Sequence, residues 1–525
     1  MPKVLISDSM SSQAADIFRS RGVEVHVRTG LKPDELKAII GGYDGLAIRS
    51  STKVTADILA AAENLKVIGR AGIGVDNVDV PAATGRGIVV MNTPFGNSIT
   101  TAEHALAMMM ALARQIPQAN ASTHAGKWEK SGFMGVELAG KTLGIVGCGN
   151  IGGIVADRAR GLKMKVIAHD PYLSAERAEE LGVEKIELDA LYARADFISL
   201  HAPSTETTRG MINAEALARM KPGVRIINCA RGSLVIEDDL KAAILAGKVA
   251  GAALDVFAVE PAKSSVLFGL EQVVATPHLG ASTVEAQEKV ALQVAEQMAD
   301  FLLTGAVVNA LNMPSVSAEE MPRLQPYMKL AGQIGRFMGQ LVESAVTAVT
   351  IEYEGHAASL NLKPLTGLVL EGLLSPQMET VNMVNAPMIA KARDIAVSEV
   401  TRERAGAYQT LIALTVVSEN QTRTIAGTLF NGDQPRIVGI NGVPMDAQLR
   451  PNMLLVTNRD RPGLIGRLGT LLGDAGINIA TFNLGRDQAG GKAIALIEID
   501  EAPSESLLDQ VRTLPNVVRA RAVRF

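Results

Sequence analysis

The chain has 525 residues, 47% hydrophobic but only 3% aromatic, with a formal net charge of −4; that length suggests about three or four domains. Interspersed charges leave no basic stripe for nucleic acid, and two cysteines provide neither a disulfide framework nor zinc spacing, so no metal is expected. The longest apolar run, residues 105–113, is far too short to cross a bilayer, and a strand beginning at Val4 leaves no room for a leader, so a cytoplasmic protein without membrane contact is expected.

The first hundred residues alternate strand and helix. Residues 4–7, 23–27, 45–48, 66–69 and 88–91 read as strands separated by turn signals, which predicts a parallel α/β unit. A long helix is expected over 100–121. Residues 142–146 then read as a buried strand running into Gly147-Cys148-Gly149-Asn150-Ile151-Gly152. Apolar residues at 151, 154, 155, 159 and 162 share one face of the helix that follows, and a strand over 165–169 ends at Asp170. Glycines at that turn let a pyrophosphate approach the amides of a helix N-terminus. An acidic residue at the end of the second strand binds ribose hydroxyls and repels a 2′-phosphate, which favours NAD over NADP. A strand at 273–276 and a helix at 283–303 close this second α/β unit. Two long helices bracketing it suggest that it is inserted into the first unit at a hinge, with a substrate cleft between them.

Pro314, Pro322 and Pro326 mark the next boundary. Beyond them, residues 411–417, 423–430 and 436–440 alternate like strands around the turns Asn431-Gly432 and Asn441-Gly442. Helical stretches are expected before Pro364 and over 387–404, which makes this a small α+β domain. The last 75 residues read as strand 453–457, helix 464–475, strands 477–484 and 493–499, helix 504–513 and strand 517–523, a ferredoxin-like βαββαβ order.

Oxidising a hydroxy acid with NAD requires a base, an acid that orients it, and a cation for the carboxylate. Arg231, Glu260 and His278 each follow an apolar run, where ligands of open parallel sheets lie. Taken singly, Arg231 and Glu260 also read as solvent-facing loop residues. His278, in the turn Pro277-His278-Leu279-Gly280, is harder to assign to packing. His201 also ends a strand, and spacing leaves it a rival for the base; His104 lies in the apolar helix.

Arg49-Ser50-Ser51-Thr52, Gly69-Arg70-Ala71-Gly72-Ile73-Gly74-Val75-Asp76, Asn92-Thr93-Pro94, the turn from Gly147 to Gly152, Asn228-Cys229-Ala230-Arg231-Gly232, Asp255-Val256-Phe257 and His278-Leu279-Gly280-Ala281 together resemble the D-isomer-specific 2-hydroxyacid dehydrogenases. The resemblance covers residues 1 to about 312. It implies two Rossmann-like doubly wound parallel-sheet domains, a substrate-binding one (1–98 and 283–312) and an NAD-binding one (99–282). The two later segments match the long form of the family, with an intervening allosteric substrate-binding-type domain (313–450) and an ACT domain (451–525). The implied activity is oxidation of 3-phospho-D-glycerate to 3-phosphohydroxypyruvate, with relatives acting on unphosphorylated acids as the nearest alternative and an NAD-sensing transcriptional corepressor as a different class.

The same resemblance assigns His278 as base, Glu260 as its orienting acid and Arg231 as anchor, leaving His201 structural. Gly147, Gly149, Asn150, Ile151, Gly152, Asp170, Cys229, Ala230, Arg231 and Asp255 are expected to line the NAD site, with His278, Leu279, Gly280 and Ala281 beside the nicotinamide. Arg49, Ser50, Arg70 and Gly72 are expected to face substrate, joined by Lys130, which reads equally well as a surface-loop residue. Ile73 departs from the threonine common in relatives, and Asn458 from an aromatic or histidine. Asp460 and Asn478 match positions that hold L-serine as an effector, and a homotetramer is implied.

Overall fold

The computed structural model describes residues 1–378, 380–404 and 406–525. A five-stranded parallel sheet opens the chain, in the order Glu24–Val27, Lys3–Ile6, Gly45–Ile48, Val67–Arg70 and Val89–Met91. Its central strands are buried on both faces, which is why they read as unbroken apolar runs. One covering helix, Val284–Thr304, comes from far along the chain and seats Val294 and Met298 on the sheet. Glycine at positions 45 and 69 admits that helix: a Cβ on Gly69 would fall 2.2 Å from the Met298 sulfur.

A seven-stranded parallel sheet follows, ordered Val273–Ala275, Val249–Leu254, Val224–Asn228, Phe197–Leu200, Thr142–Val146, Lys165–His169 and Glu184–Lys185. Strand order reverses between Thr142–Val146 and Phe197–Leu200, and the crevice beyond the carboxyl ends at such a reversal is where ligands bind.

The helix expected over 100–121 is two helices, Ser98–Arg114 and Ile116–His124. Gln115 between them is left-handed, at φ 53°, and Pro117 has no N–H to continue the ladder. Ser98–Arg114 buries Ala105, Met108, Met109 and Leu112 under the seven-stranded sheet.

The third unit differs most from expectation. Its sheet has six strands, ordered Ala396–Arg402, Val346–Gly355, Thr410–Ser418, Gln421–Phe430, Gln434–Ile440 and Val443–Ala447. Residues 396–402, expected to be helical, form an edge strand parallel to Val346–Gly355, and the helix around Pro387 stops at Ala392. Val346–Gly355 was itself hidden in a stretch read as helical. Pro364 lies within the first turn of Leu362–Leu374, and Pro322 and Pro326 within the opening turns of Met321–Leu341. The first-turn positions of Pro322 and Pro364 tolerate proline because their N–H groups lack intrahelical partners, whereas Pro326 lies inside its helix and gives up one bond of the ladder. The Asn441-Gly442 hairpin is as expected, with both residues at positive φ.

The last sheet is antiparallel, ordered Ile479–Arg486, Lys492–Ile499, Asn452–Arg459 and Val517–Arg524, with helices Leu464–Asp474 and Glu505–Thr513 on one face. Its other face joins the core of the third unit through Met453, Leu455, Ile494, Leu496 and Val523. Among the described residues, no helix is long and apolar enough to cross a membrane.

Candidate active site

Between the carboxyl ends of the two parallel sheets lies a cleft of about 810 Å³. His278 Nδ1 donates to Glu260 Oε2 at 2.6 Å on one wall. The hydrogen bond to Glu260 raises the imidazole pKa above its ordinary value; burial opposes this, the Glu260 and Asp255 charges add to it, and Arg231 subtracts. Burial pushes the Glu260 carboxyl up, yet the bonds from His278 and the Phe257 amide, with the imidazole's charge, outweigh it and hold that carboxyl below the usual range.

His278 itself is left-handed, with φ 56°, a conformation costing a non-glycine residue roughly 1–3 kcal/mol unless its surroundings enforce it. Its N–H donates to the Asp255 carbonyl at 2.9 Å. The Asp255 carboxylate accepts from the Leu279 and Gly280 amides at 2.7 and 2.8 Å and from the Thr276 hydroxyl at 2.6 Å. That side chain, expected to line the cofactor site, is fully buried beneath the turn.

The opposite wall carries Arg49, Ser50, Arg70 and Gly72, at the ends of the first sheet's strands. Asp8, 4% exposed, shapes it by accepting from the Arg49 and Thr52 amides and the Thr52 hydroxyl. Asn77 donates to the Arg49 and Thr52 carbonyls, and Thr93 accepts from the Gly72 amide. Burial, joined by the Arg231 and Arg49 charges and opposed by Asp76 and Asp8, lowers the Arg70 pKa to about 10; the Arg70 Nε is buried without a partner among the described residues. Arg231 Nε donates to Asp76 Oδ2 at 2.9 Å, spanning the two units. Gly72 and Gly74 leave room for these guanidiniums: a Cβ would fall 1.7 Å from Arg70 Nη1 and 1.9 Å from Arg231 Nη2.

A second groove, of about 780 Å³, runs along Gly149, Asn150, Asp170 and Tyr172. Gly147, at φ 89°, would place a Cβ 2.8 Å from the His201 carbonyl, and Gly152 would place one 2.1 Å from the Gly147 carbonyl. A Cβ on Gly149 would enter open space, so the amides at the start of Asn150–Gly161 are approachable by an anion. Asp170 accepts from the Cys148 and Tyr172 amides while lining this groove, keeping lone pairs for hydroxyl donors. Such a donor set fits a dinucleotide. Cys148 and Cys229 are buried, and burial pushes both thiols up, Cys148 to about 11.

His201 contrasts with its rival. Burial pushes it down to about 4, its Nε2 meets the Ser199 hydroxyl at 2.8 Å, and Nδ1 has no partner among the described residues. Lys130 sits in an exposed turn and lines neither cavity. In the last unit, Asp460 accepts from Arg486 and the Gly490 amide, and Asn478 donates to Asp500.

Sequence reading passed over Asp8 and Thr101, gave Asp76 and Asn77 no role beyond their motif, and left His104 to the apolar helix. Asp8 follows the first strand as Asp170 follows its own, so position at a strand's carboxyl end was the available signal.

The family model for the NAD-binding domain of D-isomer specific 2-hydroxyacid dehydrogenases matches residues 106–280, that for the D-3-phosphoglycerate dehydrogenase intervening domain residues 323–441, and that for the ACT domain residues 452–516. A D-3-phosphoglycerate dehydrogenase of Synechocystis is 44% identical, covering 100% of this chain and 95% of that protein. One from Archaeoglobus fulgidus is 41% identical, covering 100% of both. Among solved structures, the apo form of D-lactate dehydrogenase from Escherichia coli is 29% identical at a TM-score of 0.53, covering 59% of this chain and 100% of that one.

Proposed function

The chain belongs to the D-3-phosphoglycerate dehydrogenases, within the D-isomer-specific 2-hydroxyacid dehydrogenase family, and from that premise we propose how its own residues oxidise 3-phospho-D-glycerate to 3-phosphohydroxypyruvate, the opening step of L-serine synthesis. It is an NAD-dependent oxidoreductase. NAD, when bound, supplies the two-electron acceptor. Gly149, Asn150 and Ile151 are assigned to the pyrophosphate and Asp170 to the ribose hydroxyls, with Cys229 and Ala230 assigned to the same cofactor and Leu279, Gly280 and Ala281 to its reactive end.

His278 takes the C2 hydroxyl proton. With Nδ1–H given to Glu260, Nε2 keeps the lone pair a base needs, and Glu260 stabilises the imidazolium that forms. Arg231 anchors the carboxylate and, on this reading, leaves Asp76 to do so. Arg49 and Arg70, with Ser50 and the Gly72 backbone, take the phosphate. The supporting observation is a single one: a carboxylate-held imidazole faces two substrate-side arginines across one cleft.

The domain division set out from the sequence belongs to this proposal and is supported by the packing of helix Val284–Thr304 on the first sheet. Tetrameric assembly, cytoplasmic location, a cross-subunit charge from Lys130 and L-serine held by Asp460 and Asn478 belong to the same proposal. A steady-state assay tests it. Two charge-assisted hydrogen bonds to phosphate, about 1.5 kcal/mol each at the low end, predict a preference for 3-phosphoglycerate over D-glycerate of roughly 100-fold in kcat/KM. Equal use of both acids refutes the phosphate assignment, and unchanged rates with millimolar L-serine refute the effector assignment.

A further inference from the structure

A buried polar corner lies directly beneath the His278 turn, and it is contributed by the helix that joins the two catalytic units. His104, on Ser98–Arg114, places Nε2 3.1 Å from Asp255 Oδ1 and 3.3 Å from the Thr276 hydroxyl. One turn earlier on the same helix, Thr101 donates to the Gly280 carbonyl at 2.9 Å. The two side chains are three positions apart and therefore share a face. Between them they engage both ends of the turn, Asp255 holding the Leu279 and Gly280 amides and Thr101 the Gly280 carbonyl. The Asp255 backbone carbonyl meanwhile receives the His278 amide.

We propose that His104 is a positioning residue for the proton acceptor: its Nε2–H, through Asp255 and together with Thr101, holds the 278–280 turn in the left-handed conformation that aims His278 into the cleft. The inference rests on the assignment of His278 as base. Three independent features carry it. The conformation at His278 is one that its own side chain disfavours, so contacts elsewhere must enforce it. Among the described residues, the polar partners of the Asp255 carboxylate come from the turn, from Thr276 and from His104. A carboxylate fully removed from water needs each of those donors. Donors from His104, Cys229 and Asp255 also lie within 4.8 Å of one another, but the Asp255 oxygens are already taken by hydrogen bonds, so no cation is assigned there.

His104→Leu removes the donor and keeps an apolar side chain of similar reach. Misplacing a reacting group by about an ångström costs on the order of 100-fold, so kcat is expected to fall roughly 10- to 100-fold, with the KM values for NAD and for the hydroxy acid within about 3-fold of the parent. His104→Gln, whose Nε2 can reach the same oxygen, is expected to restore kcat to within about 3-fold. Thr101→Val is expected to lower kcat in the same sense and, combined with His104→Leu, to fall short of the product of the two effects, because both act on one turn. Unchanged kcat in His104→Leu, or a Gln variant as impaired as the Leu variant with its melting curve intact, overturns the inference. If the Leu variant does not fold, unchanged kcat in Thr101→Val overturns it instead. His278→Asn, measured in parallel, separates the two layers: retained turnover there discards the base, whereas loss there with an active His104→Leu discards only the positioning role.

Discussion

At the scale of single residues, the cleft is an arrangement of charges whose protonation can be read out. The imidazole of His278 must be neutral to accept a proton, and its pKa is raised, chiefly by the hydrogen bond to Glu260. Oxidation is therefore expected to be full above that pKa and to be lost as pH falls through it; the reverse reaction, which needs the imidazolium, fades as pH rises. Glu260→Gln removes the largest raising cause. Its kcat for oxidation is expected to drop roughly 10- to 100-fold, while the acid limb of the pH profile moves to lower pH, toward the ordinary imidazole value of about 6.5. A limb that stays in place in a pH series of kcat/KM contradicts the pairing. Stability follows the same pair with opposite signs. The depressed Glu260 contributes above about pH 4.3, and that contribution is lost as pH falls through its folded pKa. The raised His278 contributes fully below about pH 6.5 and loses that contribution as pH rises through its own.

At the scale of elements, the glycines of the nucleotide turn have separable duties. Gly149 faces open space, so a methyl there obstructs only a ligand, whereas Gly152 presses on the Gly147 carbonyl and has no room for one. Gly152→Ala is therefore expected to force the helix start away from its strand and lower stability by about 1–3 kcal/mol as well as weakening NAD. Gly149→Ala should weaken NAD with little change in melting. A calorimetric scan beside an NAD titration distinguishes them; equal melting losses in both variants would mean that the packing account is wrong. The broken helix at Gln115 and the edge strand at 396–402 belong to this scale too. Both were misread because local pattern outweighed context: residues 396–402 have every side chain exposed, so no buried face announces a strand, and only pairing with Val346–Gly355 makes them one.

For the whole molecule, the four sheets are not equally independent. The last sheet shares its inner face with the third unit's core through Met453, Leu455 and Val523, and a Cβ on Gly485 would fall 2.1 Å from the Pro444 carbonyl across that junction. The third unit touches the first more lightly, through Asn382 and Asn385 on the Gly87 and Gly85 carbonyls. A chain ending at residue 450 is accordingly expected to melt earlier than the full chain and to aggregate, because its apolar face is uncovered. A chain ending at residue 312 is expected to fold and turn over, as the E. coli D-lactate dehydrogenase structure matches 59% of this chain with its whole length. Identical melting of the 450-residue form and the full chain would show that the last two sheets are separate bodies.

Local chemistry alone settled the parallel α/β character, the nucleotide turn with Asp170, the hairpin at Asn441-Gly442 and the βαββαβ end, because each is written in residues a few positions apart: apolar runs, glycines at positive φ, an acid at a strand's end. Arg231, Glu260 and His278 could be picked out as candidates in the same way, but the choice between His278 and His201 could not be made from spacing. Folding separates the two by distance: Glu260 comes within 2.6 Å of His278, while the His201 ring meets the Ser199 hydroxyl and is held in burial that disfavours its charge. Likewise the partners of Asp8, Asp255 and His104 lie tens to hundreds of positions away. A buried polar group's role depends on what surrounds it in space, and chain order does not carry that information.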